Sequence, residues 1–183
     1  MKSLSNTDKF AIAMPILTAV GIMLLSQNTQ AQDLETVPYV DLEKYSGDWY
    51  EIASFPQSFQ KGCTNTKATY TPNEDGTIRV ENSCNVPSKG KTKSSTAVAF
   101  VEDGSGNAKL KVQFFWPFKG KYWIIDLAKD YSYAVVGHPN RKYLWILSRT
   151  TEMDGQLYQD ILKRIEEKGF DLTKLEKTFQ GEN

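Results

Sequence analysis

Histidine is nearly absent from this 183-residue sequence, with His138 the single imidazole. A metal centre built on several histidines is excluded, and a histidine-dependent mechanism would rest on one side chain in a turn beside Pro139. That position reads as a solvated loop residue. No Gly-x-Ser-x-Gly element occurs, so the serine nucleophile of an elbow-type hydrolase is missing. Lysine and arginine form no long block and balance aspartate and glutamate, 22 against 22. That argues against nucleic acid as a partner. Nothing in the sequence implies a cofactor or a resident metal. Carboxylates are abundant, yet only Glu51 stands out in an apolar stretch.

Long apolar runs are equally scarce. The one example, residues 10–25, is interrupted by Pro15, Thr18 and Gly21 and falls short of the roughly 20 apolar residues of a comfortable membrane span. Lys2 and Lys9 precede it, and Thr29-Gln30-Ala31 places small residues where a signal peptidase reads them. Residues 1–31 are therefore expected to be a secretory signal and 32–183 one exported domain, with an uncleaved anchor as the alternative. Cysteine is confined to Cys63 and Cys84, and no cysteine near the cut offers a lipid attachment point. In an exported chain such a pair suggests a disulfide, the alternative being two buried thiols.

What the sequence does contain is β-structure. Runs rich in Val, Ile, Thr, Tyr, Phe and Trp recur at 48–55, 64–71, 77–84, 93–102, 108–115, 120–127, 132–137 and 142–149. Turn signals such as Asp75-Gly76, Asp103-Gly104 and Pro139-Asn140 separate them. Residues 32–46, with Pro38 and mixed polarity, read as an extended lead-in. Over 154–168 the apolar period changes to three and four, through Leu157, Ile161, Leu162 and Ile165. Asp154 and Gly169 supply the start and stop of that helix. Residues 176–180 could add a short last strand. Eight strands with short connections favour a closed up-and-down antiparallel β-barrel, with the helix packed outside, over a sandwich with longer crossovers. The Asn73–Gly76 turn brings residue 63 opposite positions 84–86, which predicts a Cys63–Cys84 bond closing the mouth end of the hairpin.

Gly47-Asp48-Trp49-Tyr50, then Asp130-Tyr131, then Arg149 after Leu144-Trp145-Ile146-Leu147-Ser148 resemble the three ordered signatures of the lipocalin family. Lys129 replaces the usual Thr of the second signature. The resemblance spans roughly residues 39–180. With Phe115-Trp116-Pro117-Phe118 and Tyr131-Ser132-Tyr133-Ala134 it is similar to the bacterial and apolipoprotein D-like members. It implies that Arg149 packs on Trp49 at a closed barrel end, a structural role shared with Gly47, Asp130 and Tyr131. It also implies a carrier of small hydrophobic or amphipathic molecules, namely fatty acid or lysophospholipid, acting in envelope lipid storage, transport or repair under stress. Such a protein is exported, periplasmic or secreted, and associates with the outer membrane without a lipid anchor. It is a monomer or weak homodimer.

Strand alternation converts that resemblance into a candidate lining. Trp49 inward carries Glu51, Ala53 and Phe55 with it. Lys109 and Lys111 facing water turn Leu110, Val112 and Phe114 inward. The resemblance implies that Tyr122 lines the cavity and that Trp145 contacts ligand, and alternation adds Ile124 beside the first and Tyr143 and Leu147 beside the second. The candidate ligand-binding residues are thus Glu51, Ala53, Val112, Phe114, Tyr122, Ile124, Tyr143 and Trp145. An aromatic and aliphatic pocket with few polar atoms suits an acyl chain or polyene with one polar head. The alternatives are a barrel filled by its own side chains, a carrier of a pigment, tetrapyrrole or isoprenoid, and a cysteine-dependent lipid isomerase using Cys63. An enzyme is not expected. Phe55, Phe59, Trp116 and Phe118 fall on two loops at the open end, where they either meet a membrane surface or pack on each other.

Overall fold

The computed structural model of the protein describes residues 33–181. Eight strands run in chain order: β1 Gly47–Ser54, β2 Thr64–Pro72, β3 Ile78–Val86, β4 Lys91–Val101, β5 Lys109–Phe115, β6 Phe118–Leu127, β7 Tyr133–Gly137 and β8 Leu144–Ser148. Each pairs antiparallel with the next, and β1 pairs with both β8 and β2. The sheet thereby closes into the expected up-and-down barrel, which leaves few free edges. On β2, Thr66, Ala68 and Tyr70 are buried and alternate with more exposed neighbours, the period-two pattern of a sheet facing a core on one side.

The segment expected to be wholly extended holds a short helix, α1, at Leu42–Tyr45. Asp41 caps it, its Oδ1 accepting from the Glu43 and Lys44 backbone N–H groups. The lead-in crosses the closed end of the barrel. Val37 N donates to Ile124 O and Val40 N to Gly106 O. Gly106 has φ +59°, and a Cβ there would collide with the Pro38 carbonyl oxygen, so glycine permits the crossing.

At that end Trp49 is fully buried and donates from Nε1 to Tyr45 O at 2.7 Å. The Arg149 guanidinium lies 3.8 Å from the Trp49 ring centroid. It donates to Asp48 O at 2.7 Å, Lys44 O at 2.6 Å and Tyr131 O at 3.3 Å. Tyr131 Oη accepts from Asp41 N at 2.8 Å, and Asp130 Oδ1 caps its own turn by accepting from Ser132. Gly47 enters β1 at φ +90°, where a side chain would be strained. Trp49, Tyr131 and Arg149 thus meet in a single plug, with Gly47 and Asp130 shaping the turns beside it.

Outside the barrel lies α2, Gly155–Glu167, with Asp154 Oδ1 accepting from Leu157 N at its start. Gly169, at φ +81°, ends it. The helix buries Tyr158, Ile161 and Ile165 against Ile125, Val135, Leu144 and Ile146. Arg164 Nε pins it to Asp126 Oδ2 at 2.8 Å.

Two expected orientations fail here. The β1–β8 register shifts between Glu51 and Ala53, so a bulge flips side-chain parity. Ala53 therefore joins the outer cluster under α2 instead of the interior. Phe55 follows it, only 2% exposed and edge-on to Phe170, and is not a rim aromatic.

Beyond Tyr50 and Lys67 the β1–β2 ladder stops. The C-terminal segment fills the opening. Strand β9, Glu176–Lys177, pairs with β1, shorter than the 176–180 the sequence suggested. Gln180 Nε2 then donates to both Glu51 O and Thr66 O, at 2.9 and 2.8 Å.

Candidate ligand cavity

Above the plug the barrel interior opens into a cavity of about 800 Å³, inside the roughly 300–1,000 Å³ range of small-molecule sites. Alternation explains its walls. Val112 and Phe114 point in from β5, Tyr122 from β6, Trp145 and Leu147 from β8, and Glu51 from β1 below the bulge. Tyr143 joins them from the β7–β8 connection, its ring stacked with Trp145 at 6.3 Å. Six of the eight residues expected in the lining are thus brought together. Ala53 is not, because of the bulge. Ile124 does face inward, but it lies within the packed floor, fully buried and with Ala108 and Val136 in the same cluster. Parity fixes which face a residue takes and says nothing of its height along the barrel.

The floor is polar at one point. Tyr122 Oη lies 2.8 Å from both Tyr45 Oη and Tyr70 Oη. Burial pushes the Tyr70 phenol up to about 12 and raises Tyr45 and Tyr122 as well; both neighbours add to the rise in Tyr122, while in Tyr45 the contribution of Tyr70 is opposed by the hydrogen bond with Tyr122. All three stay neutral at physiological pH. Three hydroxyl protons share two contacts, leaving one donor for a ligand atom or water.

Glu51 forms the second polar point. It is 5% exposed and pairs with no basic side chain among the described residues. Its oxygens accept instead from Ser54 Oγ at 3.0 Å, Thr178 Oγ1 at 2.6 Å and Gln60 Nε2 at 2.9 Å. Gln60 Oε1 in turn accepts from Trp145 Nε1 at 3.4 Å. Three neutral donors hold the carboxylate in place. Sequence reasoning missed Gln60, which sits on a single 3-10 turn, Ser58–Gln60. It also missed Tyr70, although the inward alternation of Thr66, Ala68 and Tyr70 could have found it.

The mouth carries charge of the other sign. Lys93, Lys119 and Lys121 line it with Phe59, Phe115 and Phe118. Lys93 Nζ donates to Phe59 O at 2.7 Å, and Lys119 Nζ lies 3.6 Å from the Phe100 ring centroid. His138 lines the mouth too, partly buried, and is not the fully solvated loop residue expected. Burial lowers its pKa, with Lys121 acting in the same direction. Cys63 and Cys84 are bonded across the β2–β3 edge of the wall, with 5.5 Å between their Cα atoms. Neither offers a thiolate in this form.

The family profile described as a lipocalin-like domain matches residues 40–180. The chain belongs to the lipocalin family. This lipocalin is 42% identical over 163 residues to temperature-induced lipocalin-1 of Arabidopsis thaliana, covering 84% of this chain and 87% of that one. It is 37% identical over 153 residues to outer membrane lipoprotein Blc of Escherichia coli strain K12, covering 84% and 86%. Among solved structures, insecticyanin from the tobacco hornworm Manduca sexta superposes with a TM-score of 0.67 at 21% identity, over 82% of this chain and 86% of that one. At that identity the likeness speaks for the barrel alone.

Proposed function

We propose that this lipocalin is a carrier, without catalytic activity, of a single-chain amphipathic lipid: a fatty acid or lysophospholipid. The observation that carries the reading is the cavity itself, a largely apolar barrel interior with a polar strip of Asn82, Ser83, Ser94, Ser95 and Thr96 on β3 and β4, and with Lys93, Lys119 and Lys121 at its mouth. An acyl chain fits the interior, and an anionic carboxylate or phosphate fits the rim. Each buried methylene contributes about 0.8 kcal/mol, so ten give roughly 8 kcal/mol. Lost translational freedom and chain ordering offset part of this, and a longer chain brings the net back towards micromolar affinity, about 8 kcal/mol. Glu51 weighs against a fatty-acid head deep in the barrel and suits a choline-type cation, which favours lysophospholipid. The Cys63–Cys84 bond supports an oxidising compartment and hence export, as does the outer-membrane location in the name of the bacterial relative. The expected signal, residues 1–31, lies outside the described residues.

Oleate and lysophosphatidylcholine titrated against tryptophan fluorescence test the reading. Micromolar binding is expected for at least one of them. Trp145→Phe should remove most of the signal at nearly unchanged affinity, and Tyr122→Ala should weaken binding. No response to either lipid at tens of micromolar would defeat the proposal. N-terminal sequencing of protein from the extracytoplasmic fraction tests export, with a start near Gln32 expected.

A further inference from the structure

The barrel is neutral overall, but its charge is sorted along its axis. The four connections at the open end are residues 55–63, 87–90, 116–117 and 138–143. None contains aspartate or glutamate. They carry Lys61, Lys89 and Lys142, and the adjoining strand ends add Lys91, Lys93, Lys119 and Lys121. Each of the three strand connections at the closed end holds at least one acid, Asp75, Asp103 and Asp130, and the β8–α2 connection holds Asp154. Acids do stand near the open end outside its loops: Glu176 pairs with Ser54 at the end of β1, Glu51 accepts from Gln60 inside the barrel, and Glu166 and Glu167 close α2 on the barrel flank.

The same end projects bare aromatic rings. Trp116, at the tip of the β5–β6 hairpin, is 86% exposed, and Phe115 and Phe118 beside it are each 69% exposed. Phe59, on the β1–β2 connection at the same end, is 56% exposed. Phe115 and Phe118 pack edge to face at 6.0 Å and yet leave most of their surface in water. Phe115, Trp116 and Phe118 stand on a hairpin that extends past its neighbours, since β4 pairs with β5 only as far as Gln113 and β7 with β6 only from Trp123.

From this juxtaposition we infer that the protein docks mouth-first on an anionic lipid bilayer. Aromatic tips enter the headgroup region, where tryptophan is favoured because one ring edge is polar and the rest apolar. Lysines on long apolar stems reach the same depth and meet lipid phosphates. The acid-rich end is held away from the surface, so the charge asymmetry orients the approach before contact. The cavity mouth then faces the bilayer, and a lipid tail can pass between the two without crossing open water. Docking itself does not depend on which ligand the cavity prefers.

Co-sedimentation with vesicles of phosphatidylcholine, with and without a quarter of phosphatidylglycerol, tests this inference. Binding is expected to the anionic vesicles, with a blue shift of Trp116 emission in a Trp145→Phe background, and to fall as salt is raised. A lysine near such a surface is worth about fivefold in partition, so Lys89→Glu/Lys91→Glu should weaken binding by more than about tenfold. Trp116→Ser should weaken it without altering lysophosphatidylcholine binding in the cavity, since Trp116, Lys89 and Lys91 lie outside the lining. Asp75→Asn/Asp103→Asn at the opposite end should leave it unchanged. Equal binding to neutral vesicles, absence of binding to anionic ones, or equal losses from substitutions at both ends would overturn the inference. Loss of cavity binding with vesicle docking intact would instead count against the proposed cargo alone.

Discussion

Trp49 and Trp116 mark the two ends of one barrel. Trp49 is fully buried, with Arg149 over its ring and its indole N–H satisfied by Tyr45. Trp116 is 86% exposed at a hairpin tip. At the closed end the same strands meet a crossing segment, a capped short helix and a guanidinium that satisfies three carbonyls. At the open end they splay around a cavity. Packing is concentrated where nothing has to enter, which leaves the other end free to hold exposed apolar surface, a cavity and lysines with no carboxylate partner among the described residues. The division implies that stability and binding can be perturbed separately, and the following substitutions test that separation.

Trp49→Ala should have the largest effect. Removing a fully buried indole leaves a cavity and strands Arg149, so a loss of about 3–5 kcal/mol is expected in urea denaturation. Protein that remains folded should still bind lipid with near-normal affinity. Lost affinity at unchanged stability would break the division at its strongest point.

Cys63→Ser/Cys84→Ser probes the open end's main covalent restraint. The bond closes a separation of 21 residues, for which the chain-entropy account gives about 3 kcal/mol. Denaturation should show that loss, and affinity should also change because both residues line the cavity. An unchanged midpoint would mean that the open end contributes nothing to global stability.

The tyrosine cluster lies between the two regions. Tyr70 is nearly buried and its pKa is raised to about 12 from a usual value near 10. The fold therefore favours the neutral phenol. That contribution is fully present below pH 10 and is lost as pH climbs through 12, amounting to about 2–3 kcal/mol. Denaturation midpoints should fall over that window, and Tyr70→Phe should flatten the fall. A wild-type midpoint that stayed level would show the phenol to be solvated.

Most of the barrel was legible because alternation and turn residues act locally. The eight strands, α2 and its cap follow from period and punctuation, and the disulfide from one hairpin. What escaped depends on contacts distant in sequence. Glu51-Ile52-Ala53-Ser54-Phe55 carries no glycine to announce a bulge, yet one extra residue there moved Ala53 and Phe55 out of the interior. Ile124 shows the matching limit in height: Tyr122, two residues nearer the mouth, reaches the cavity, while Ile124 is sealed into the floor by Ala108 and the lead-in. The bridging of Thr178 and Gln180 to Glu51 joins positions more than a hundred residues apart, and no local signal could report it. α1 is too short for periodicity to register, and only Asp41 hints at it.

Trp116→Ser should have the smallest effect on stability, within about 0.5 kcal/mol, as for surface substitutions generally. The indole is 86% exposed and makes no hydrogen bond or ring contact among the described residues, so its removal uncovers nothing and leaves no partner unsatisfied. The β5–β6 hairpin below it is held by the Val112–Gly120 and Leu110–Tyr122 pairs, which do not involve the tip. Soluble-lipid affinity should be equally indifferent, because the tip lies outside the cavity lining. Thermal melting with and without lysophosphatidylcholine would check both expectations in one experiment. A drop of several degrees in the ligand-free protein would show that the exposed ring packs on its neighbours and braces the mouth, and the contrast between two tryptophans at opposite ends would then lose its basis.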